Sequence, residues 1–515
     1  VAAPGVALRG VAGLSTVLRA GPGARAAAVG LISLNARPRA VSDPARMDTY
    51  SPREGGLAWC FDAETLRRHD TAGPRYTSYP TAPHFHDGFG EQALIRAITA
   101  SNASARPLSL YVHVPFCSSP CFYCGCNRII TRDRSRGAAY VARVLAEADL
   151  LAALVDGRRE VVQLHLGGGT PNFLGGDAMA ELMDGLARRF SFSEAASRDF
   201  SIELDPRFVD RGAIARLAAL GFNRASLGIQ DFDPAVQRSI NRIQGVDETL
   251  DVLQACRDHG MRSVNVDLIY GLPGQTEAGF GRTLEQVLEL RPDRLAVYGY
   301  AHLPQLFRAQ RQIDDSQLPA PEQKLALLGL AVQRLSAAGY QYIGMDHFAL
   351  PEEDLSRAQR AGQLHRNFMG YTTHADTDLI GLGVSAISSV GGTFSQNPRE
   401  LADWEAAVDA GRLPVWRGLQ LDEDDQLRAR VIQALMCHGE VDLDDAVRPV
   451  GIDAADYFAE ALQRLRPLQR DGLALVEGGR VAVSARGRPL LRLLAMCFDR
   501  YLGGTAQAGG YSRAI

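Results

Sequence analysis

The chain has 515 residues, 46% of them hydrophobic, and a formal net charge of -4. Such a chain can bury a large core, which predicts one large globular domain with smaller attachments. Charges of both signs are interspersed and no run of about 18 apolar residues occurs, which argues against a nucleic-acid footprint and against a membrane span.

Residues 1–46 are rich in Ala, Gly, Val and Arg and nearly free of acids, and Gly and Pro interrupt any amphipathic helix. They are expected to be a disordered or untranslated extension ahead of a working start at Met47; the rival reading is an Arg-bearing targeting peptide. The cysteines are Cys60, Cys117, Cys121, Cys124, Cys126, Cys256, Cys437 and Cys497. With no export signal read and a chain too large to need staples, the expectation is a reducing, cytoplasmic setting and a metal rather than a disulfide framework.

The first predicted strand, Leu108–Val114, runs through Pro115 into a loop with Cys117, Cys121 and Cys124 in CxxxCxxC spacing. Structural zinc wants four ligands, usually two CxxC pairs, and no second pair follows. Three thiolates on one tight loop suit three corners of a [4Fe-4S] cluster. The fourth iron is then open to chelate the amino and carboxylate groups of S-adenosylmethionine (SAM), whereas electron-transfer clusters fill all four positions. Tyr123 precedes the last of the three cysteines, where a ring covers adenine or shields the cluster from water. Cys126 stands too close to Cys124 to reach the same cubane easily. With these residues the chain resembles the radical SAM superfamily, whose members cleave SAM to a 5′-deoxyadenosyl radical.

Further strands are predicted at Val161–Leu166, Ser201–Leu204, Arg224–Ile229, Ser263–Ile269 and Arg294–Tyr300, separated by stretches of helical spacing. Six βα units predict an α/β fold, the open three-quarter (β/α)6 barrel usual in that superfamily. Reactive residues in such barrels gather at the C-terminal strand ends. Here these ends carry Gly167 to Pro171, Glu203 with Asp205, Gln230 with Asp231, Asp267, and Tyr300 to His302. Each alone also serves as an ordinary cap or turn residue. From about Leu419 the pattern turns mainly helical, with a hairpin signal in GLALVEGGRVAVSARG, and predicts a small winged-helix-like domain; Cys437 and Cys497 read as small buried residues.

From about Ala63 to Ile515 the chain more narrowly resembles the oxygen-independent coproporphyrinogen III oxidases. The carriers include GPRYTSYPTA (Gly73 to Ala82), CGCN, LHLGGGTP, IELDPR, VDLIYGLPGQT, LHRNFMGYTT and DTDLIGLGVSAIS. The resemblance implies oxidative decarboxylation of two propionates of coproporphyrinogen III to vinyl groups, giving protoporphyrinogen IX in heme biosynthesis. It implies metal ligands Cys117, Cys121 and Cys124, and two SAM molecules. The cluster-bound SAM would contact Tyr111, Gly168, Glu203 and Ile387; the second would contact Tyr123, Gly169, Thr170, Gln230, Arg242, Asp267 and Ala301. Cys126 and Tyr111 are the candidate catalytic side chains. Arg75, Arg308, Arg311 and Arg366 are candidates for the substrate's carboxylates. A small electron-donor protein is expected as partner, and the chain as a cytoplasmic monomer. The implied domains are 47–105 as a segment covering the barrel, 106–418 as the barrel and its extension, and 419–515 as a capping C-terminal domain. The rival readings are a heme-binding chaperone of the same branch and a pure electron-transfer iron-sulfur protein.

Overall fold

The computed structural model describes residues 61–502 together with Tyr511 and Arg513. The expected extension at 1–46 and Cys60 lie outside the described residues.

Six parallel strands form the barrel wall: β1 Leu108–Val114, β2 Glu160–Gly168, β3 Asp199–Leu204, β4 Arg224–Gln230, β5 Ser263–Tyr270 and β6 Arg294–Gly299. Their sequences alternate with period two. In β1, Leu108, Leu110, Val112 and Val114 belong to the hydrophobic core, whereas Ser109, Tyr111 and His113 alternate with them. The same alternation sets Gln163 and His165 in β2, Ser201 and Glu203 in β3, and Asn265 and Asp267 in β5 against apolar neighbours that pack in the core. Registers Tyr111 to His165, His165 to Ser201, and Gly228 to Asp267 bring the polar set into rows. The rows bond across strands, Ser109 Oγ donating to Gln163 Oε1 at 3.0 Å and Ser226 Oγ to Asp267 Oδ2 at 3.2 Å. The lumen is therefore polar, unlike the apolar interior of a closed eightfold barrel.

The covering helices are α1 Ser135–Ala152, α2 Gly175–Ala187, α3 Arg211–Ala219, α4 Val246–Asp258, α5 Glu277–Leu290 and α6 Pro321–Ala337. In α1, Val141, Val144, Leu145, Ala148 and Leu151 follow the 3.6-residue period and are buried. Asp210 caps α3 by accepting the Ala213 N–H at 2.7 Å, and Thr276 caps α5.

The barrel stays open because β1 and β6 pair with other strands. On one side come β7 Gln341–Gly344 and β8 His347–Ala349, with β8 antiparallel to β6; on the other, β9 Asp378–Leu382 lies parallel to β1. Then follow β10 Ile387–Val390, β11 Thr393–Gln396 and β12 Arg417–Gln420, giving the order β7-β8-β6-β5-β4-β3-β2-β1-β9-β10-β11-β12. The strands of this extension were not among the six predicted from the sequence. Arg159 Nη2 meets Asp378 Oδ2 at 2.5 Å, with side chains 2% and 3% exposed, and fastens β9 to the start of β2.

Beyond the sheet, α7 Glu423–His438 carries a capping box at Asp422 and Asp425. It packs beside a three-stranded antiparallel sheet in which Arg480–Val483 lies between Glu440–Asp442 and Ala474–Glu477. This is the expected helix-and-hairpin unit, and Cys437 and Cys497 are buried in it. Tyr76 and Tyr79 of the GPRYTSYPTA segment are buried too; Tyr76 donates to Asp499 Oδ2 at 2.9 Å and Tyr79 Oη accepts the Arg500 N–H. Among the described residues, no helix is long and apolar enough to cross a membrane.

Candidate active site at the barrel mouth

The cysteine loop hangs over the C-terminal ends of the strands and is tied there by backbone contacts. Phe122 N–H donates to the Ile240 carbonyl at 3.0 Å, Asn241 Nδ2 to the Pro120 carbonyl at 2.7 Å, and the Arg128 guanidinium to the Cys121 and Cys124 carbonyls. Cys117, Cys121 and Cys124 line one cavity of ≈ 330 Å³. The groups around the sulfurs are donors: Thr170 Oγ1 reaches Cys117 Sγ at 3.3 Å, Arg242 Nη1 reaches Cys121 Sγ at 3.6 Å, and Arg207 Nη2 lies 3.8 Å from the same sulfur. Burial pushes the Cys117 thiol up to about 11, whereas a hydrogen bond from the Cys126 thiol pulls Cys124 down to about 6. Among the described residues, no three His, Cys, Asp or Glu side chains converge as they would on a single metal ion.

The same cavity is lined by Tyr123, Gly168, Gly169, Thr170, Glu203, Gln230, Arg242 and Asp267. Glycine is required where the β2 end passes the loop. A Cβ at Gly169 would stand 2.7 Å from the Pro115 carbonyl, and Gly168 has φ 113 with His113 in the way. Glu203 Oε2 accepts the Gly168 N–H at 3.1 Å, and His165 Nε2 stands 3.4 Å from Oε1. Burial works against the Glu203 charge, yet the His165 hydrogen bond and charge hold the carboxyl below its usual range. Asp267 on β5 goes the other way: burial, with Glu203 nearby, raises it to about 6. Asp205 is paired with Arg242 at 3.1 Å and Arg207 at 2.6 Å. Gln230 has φ 71, a left-handed conformation at the register shift that ends β4.

Tyr111, Ala301 and Ile387 stand apart from that lining. The Tyr111 hydroxyl is 3.0 Å from His113 Nδ1, and its ring stacks on His165. The Ile387 carbonyl lies against Gly381, the register partner of Tyr111 on β9. Gln310 Nε2 donates to both the Tyr123 carbonyl at 2.9 Å and the Ala301 carbonyl at 3.2 Å, so one side-chain amide links these two positions. Cys126 is exposed, and its backbone N–H donates to Cys124 Sγ at 3.4 Å. His113, His165, Arg128, Arg207 and Gln310 were not foreseen from the sequence; the period-two pattern of β1 and β2 was the available signal for the two histidines.

The donor set fits an iron-sulfur cluster with an anionic ligand beside it. Three thiols face one cavity, cationic and hydroxyl donors surround them, and the buried Nε of Arg242 has no hydrogen-bond partner among the described residues. The Radical SAM superfamily profile matches residues 111–287, and the HemN C-terminal domain profile matches residues 421–490. The chain is 48% identical over 442 residues to the oxygen-independent coproporphyrinogen III oxidase of Pseudomonas aeruginosa, covering 86% of this chain and 96% of that one. The chain belongs to the oxygen-independent coproporphyrinogen III oxidase family. The Escherichia coli oxidase is 46% identical over 455 residues, covering 88% of this chain and 98% of its own. The solved structure of coproporphyrinogen III oxidase (HemN) from Escherichia coli superposes with a TM-score of 0.82, covering 86% of this chain and 100% of that one. Like other members of this family, the chain is a radical SAM oxidoreductase whose cofactors are a [4Fe-4S] cluster and SAM.

Proposed function

We propose that this chain converts two propionates of coproporphyrinogen III to vinyl groups without oxygen, giving protoporphyrinogen IX. The observation that carries this reading is the single cavity shared by Cys117, Cys121, Cys124, Glu203, Arg242 and Asp267, in a chain that nearly spans its oxidase relatives. A [4Fe-4S] cluster and SAM held here would supply the one-electron chemistry that removes hydrogen from a propionate β-carbon, with carbon dioxide leaving and the remaining electron passing to an acceptor. The chain's own residues place and shelter that chemistry. Cys117, Cys121 and Cys124 hold the cluster, and the loop contacts of Arg128 and Asn241 fix the three thiols. Glu203 and the Gly168 turn receive the amino group of the first SAM, beside Tyr111 and Ile387. Arg242, set by Asp205 and by the Gly228 carbonyl at 2.6 Å, offers a rigid fork to a carboxylate of the second. Tyr123, Gly169, Thr170, Gln230, Asp267 and Ala301 complete that second place. Cys126, outside the ligand set, and Tyr111 act on loop or substrate.

The division is 47–105 as a segment covering the barrel, 106–418 as the barrel with its extension and 419–515 as a cap, of which residues 47–60 and those after 502 other than Tyr511 and Arg513 lie outside the described residues. Docking of Tyr76 and Tyr79 against Asp499 and Arg500 supports this division. The protein works in the cytoplasm as a monomer, with a small protein as electron donor. The test is anaerobic incubation of the reconstituted protein with carboxyl-labelled coproporphyrinogen III, SAM and a reductant. Release of two labelled carbon dioxide molecules per substrate is expected; stable heme binding without release would overturn the assignment.

A further inference from the structure

A second cavity, of ≈ 260 Å³, opens at the ends of β5 and β6 beside Tyr270, Ala301 and His302. Three separated parts of the chain bring cations to its wall: Arg75 from the GPRYTSYPTA segment, Lys324 from α6, and Arg492 with Arg513 from the C-terminal region. Carboxylates answer two of these, since Arg75 pairs with Asp346, and Arg513 Nε meets Asp70 Oδ2 at 2.6 Å. Lys324 is different. Its Nζ donates to the Tyr300 carbonyl at 3.1 Å, and no carboxylate lies within ion-pair distance of it among the described residues. Burial lowers its pKa; the Asp70 charge opposes the shift, and Arg513 and Arg492 add to it. Behind this wall the excess of positive charge continues: Arg366, 5% exposed, has no hydrogen-bond partner for Nε and Nη1 among the described residues and works against the charge of Arg75.

A partly buried ammonium facing a cavity, whose nearby carboxylate Asp70 is already paired with Arg513, is costly unless a further anion enters. The cavity also adjoins the reacting centre. The Tyr298 ring lines the cluster cavity while Arg75 stacks over it at 5.7 Å, and Ala301 shares the Gln310 amide with Tyr123. We propose that this cavity receives a propionate carboxylate of the tetrapyrrole, with Lys324 as its counter-charge and Arg75, held by Asp346, and Arg492 framing it. The assignment rests on the activity proposed above. Of the four arginine candidates drawn from the sequence, it selects Arg75 and leaves Arg308 and Arg311, on a short helix outside the cavity, without this role.

The experiment uses the full, cluster-loaded chain with coproporphyrin III and its neutral tetramethyl ester as binding probes. The wild type is expected to favour the tetra-acid. Lys324→Gln should weaken tetra-acid binding and raise KM for coproporphyrinogen III about ten-fold, with kcat within about two-fold, while Lys324→Arg restores both. Iron content and SAM affinity should not move. Equal wild-type affinity for acid and ester, unchanged KM in Lys324→Gln, or a loss of SAM affinity in its place would overturn the proposal. A wild type that forms no vinyl product would instead overturn the activity, and this subsite with it.

Discussion

Glu203 on β3 accepts the Gly168 N–H of the β2 turn at 3.1 Å, so the end of one strand sets the backbone of the next where the cysteine loop crosses. The carboxylate is held ionised beside His165 and faces the cavity of the three thiols. Glu203→Ala is therefore expected to keep a full iron content and to weaken SAM binding about 10- to 100-fold, the worth of hydrogen bonds to a charged group. Equilibrium binding of SAM to the reconstituted variant measures it. An unchanged affinity would remove Glu203 from the SAM site.

Arg242 and Asp205 are 6% and 7% exposed, and the arginine also spans the Gly228 carbonyl and Cys121 Sγ. Arg242→Met leaves Asp205 to Arg207 alone and the Gly228 carbonyl without this donor, and is expected to cost about 1–3 kcal/mol. Arg242→Lys keeps a charge but cannot bridge three partners, and is expected to fall between wild type and Arg242→Met. Chemical denaturation of the three proteins orders them; a lysine variant as stable as wild type would count against the fork.

Glu147 of α1 is buried, and three N–H groups point at it: Gly383 at 2.7 Å, Asn397 Nδ2 at 2.6 Å and Trp404 Nε1 at 3.1 Å. Burial nevertheless raises its pKa from 4.5 to about 7. The folded protein then holds a proton that the unfolded chain has already lost. The contribution of this group to stability is greatest below pH 4.5, falls as pH rises toward about 7, and is flat above. The loss is about 3 kcal/mol across that window. Glu147→Gln should abolish this slope, and its amide, facing N–H donors, should lower stability by about 1–3 kcal/mol. Denaturation of both proteins at pH 5 and pH 8 tests the sign, and parallel pH dependence in the two would contradict it.

The cysteine loop was legible because all three thiols lie in one short segment, and Glu203 and Asp267 because a βα repeat sends every strand end to the same rim. The strands that extend the sheet were not. β9 is five residues long, and its partner β1 lies some 270 positions earlier, so neither period nor turn chemistry announces the pairing. Glu147 reads as one more polar residue on an amphipathic helix until Trp404 and Asn397 arrive from far along the chain. Ala301 and Ile387 carry no chemical signal in their side chains and were named through resemblance alone. Lys324 gained meaning only when Arg75 and Arg492 were seen on the same cavity wall.

The proposed site gives the cluster to Cys117, Cys121 and Cys124 and leaves Cys126 outside the ligand set. Its most direct test is iron content together with the paramagnetic resonance spectrum of the reduced cluster, with and without SAM, in Cys121→Ser and Cys126→Ser. Cys126→Ser should retain about four irons per chain and a SAM-induced spectral change, while forming less vinyl product; Cys121→Ser should lose both the iron and the change. Loss of iron in Cys126→Ser, or full iron in Cys121→Ser, would contradict the three-thiol site.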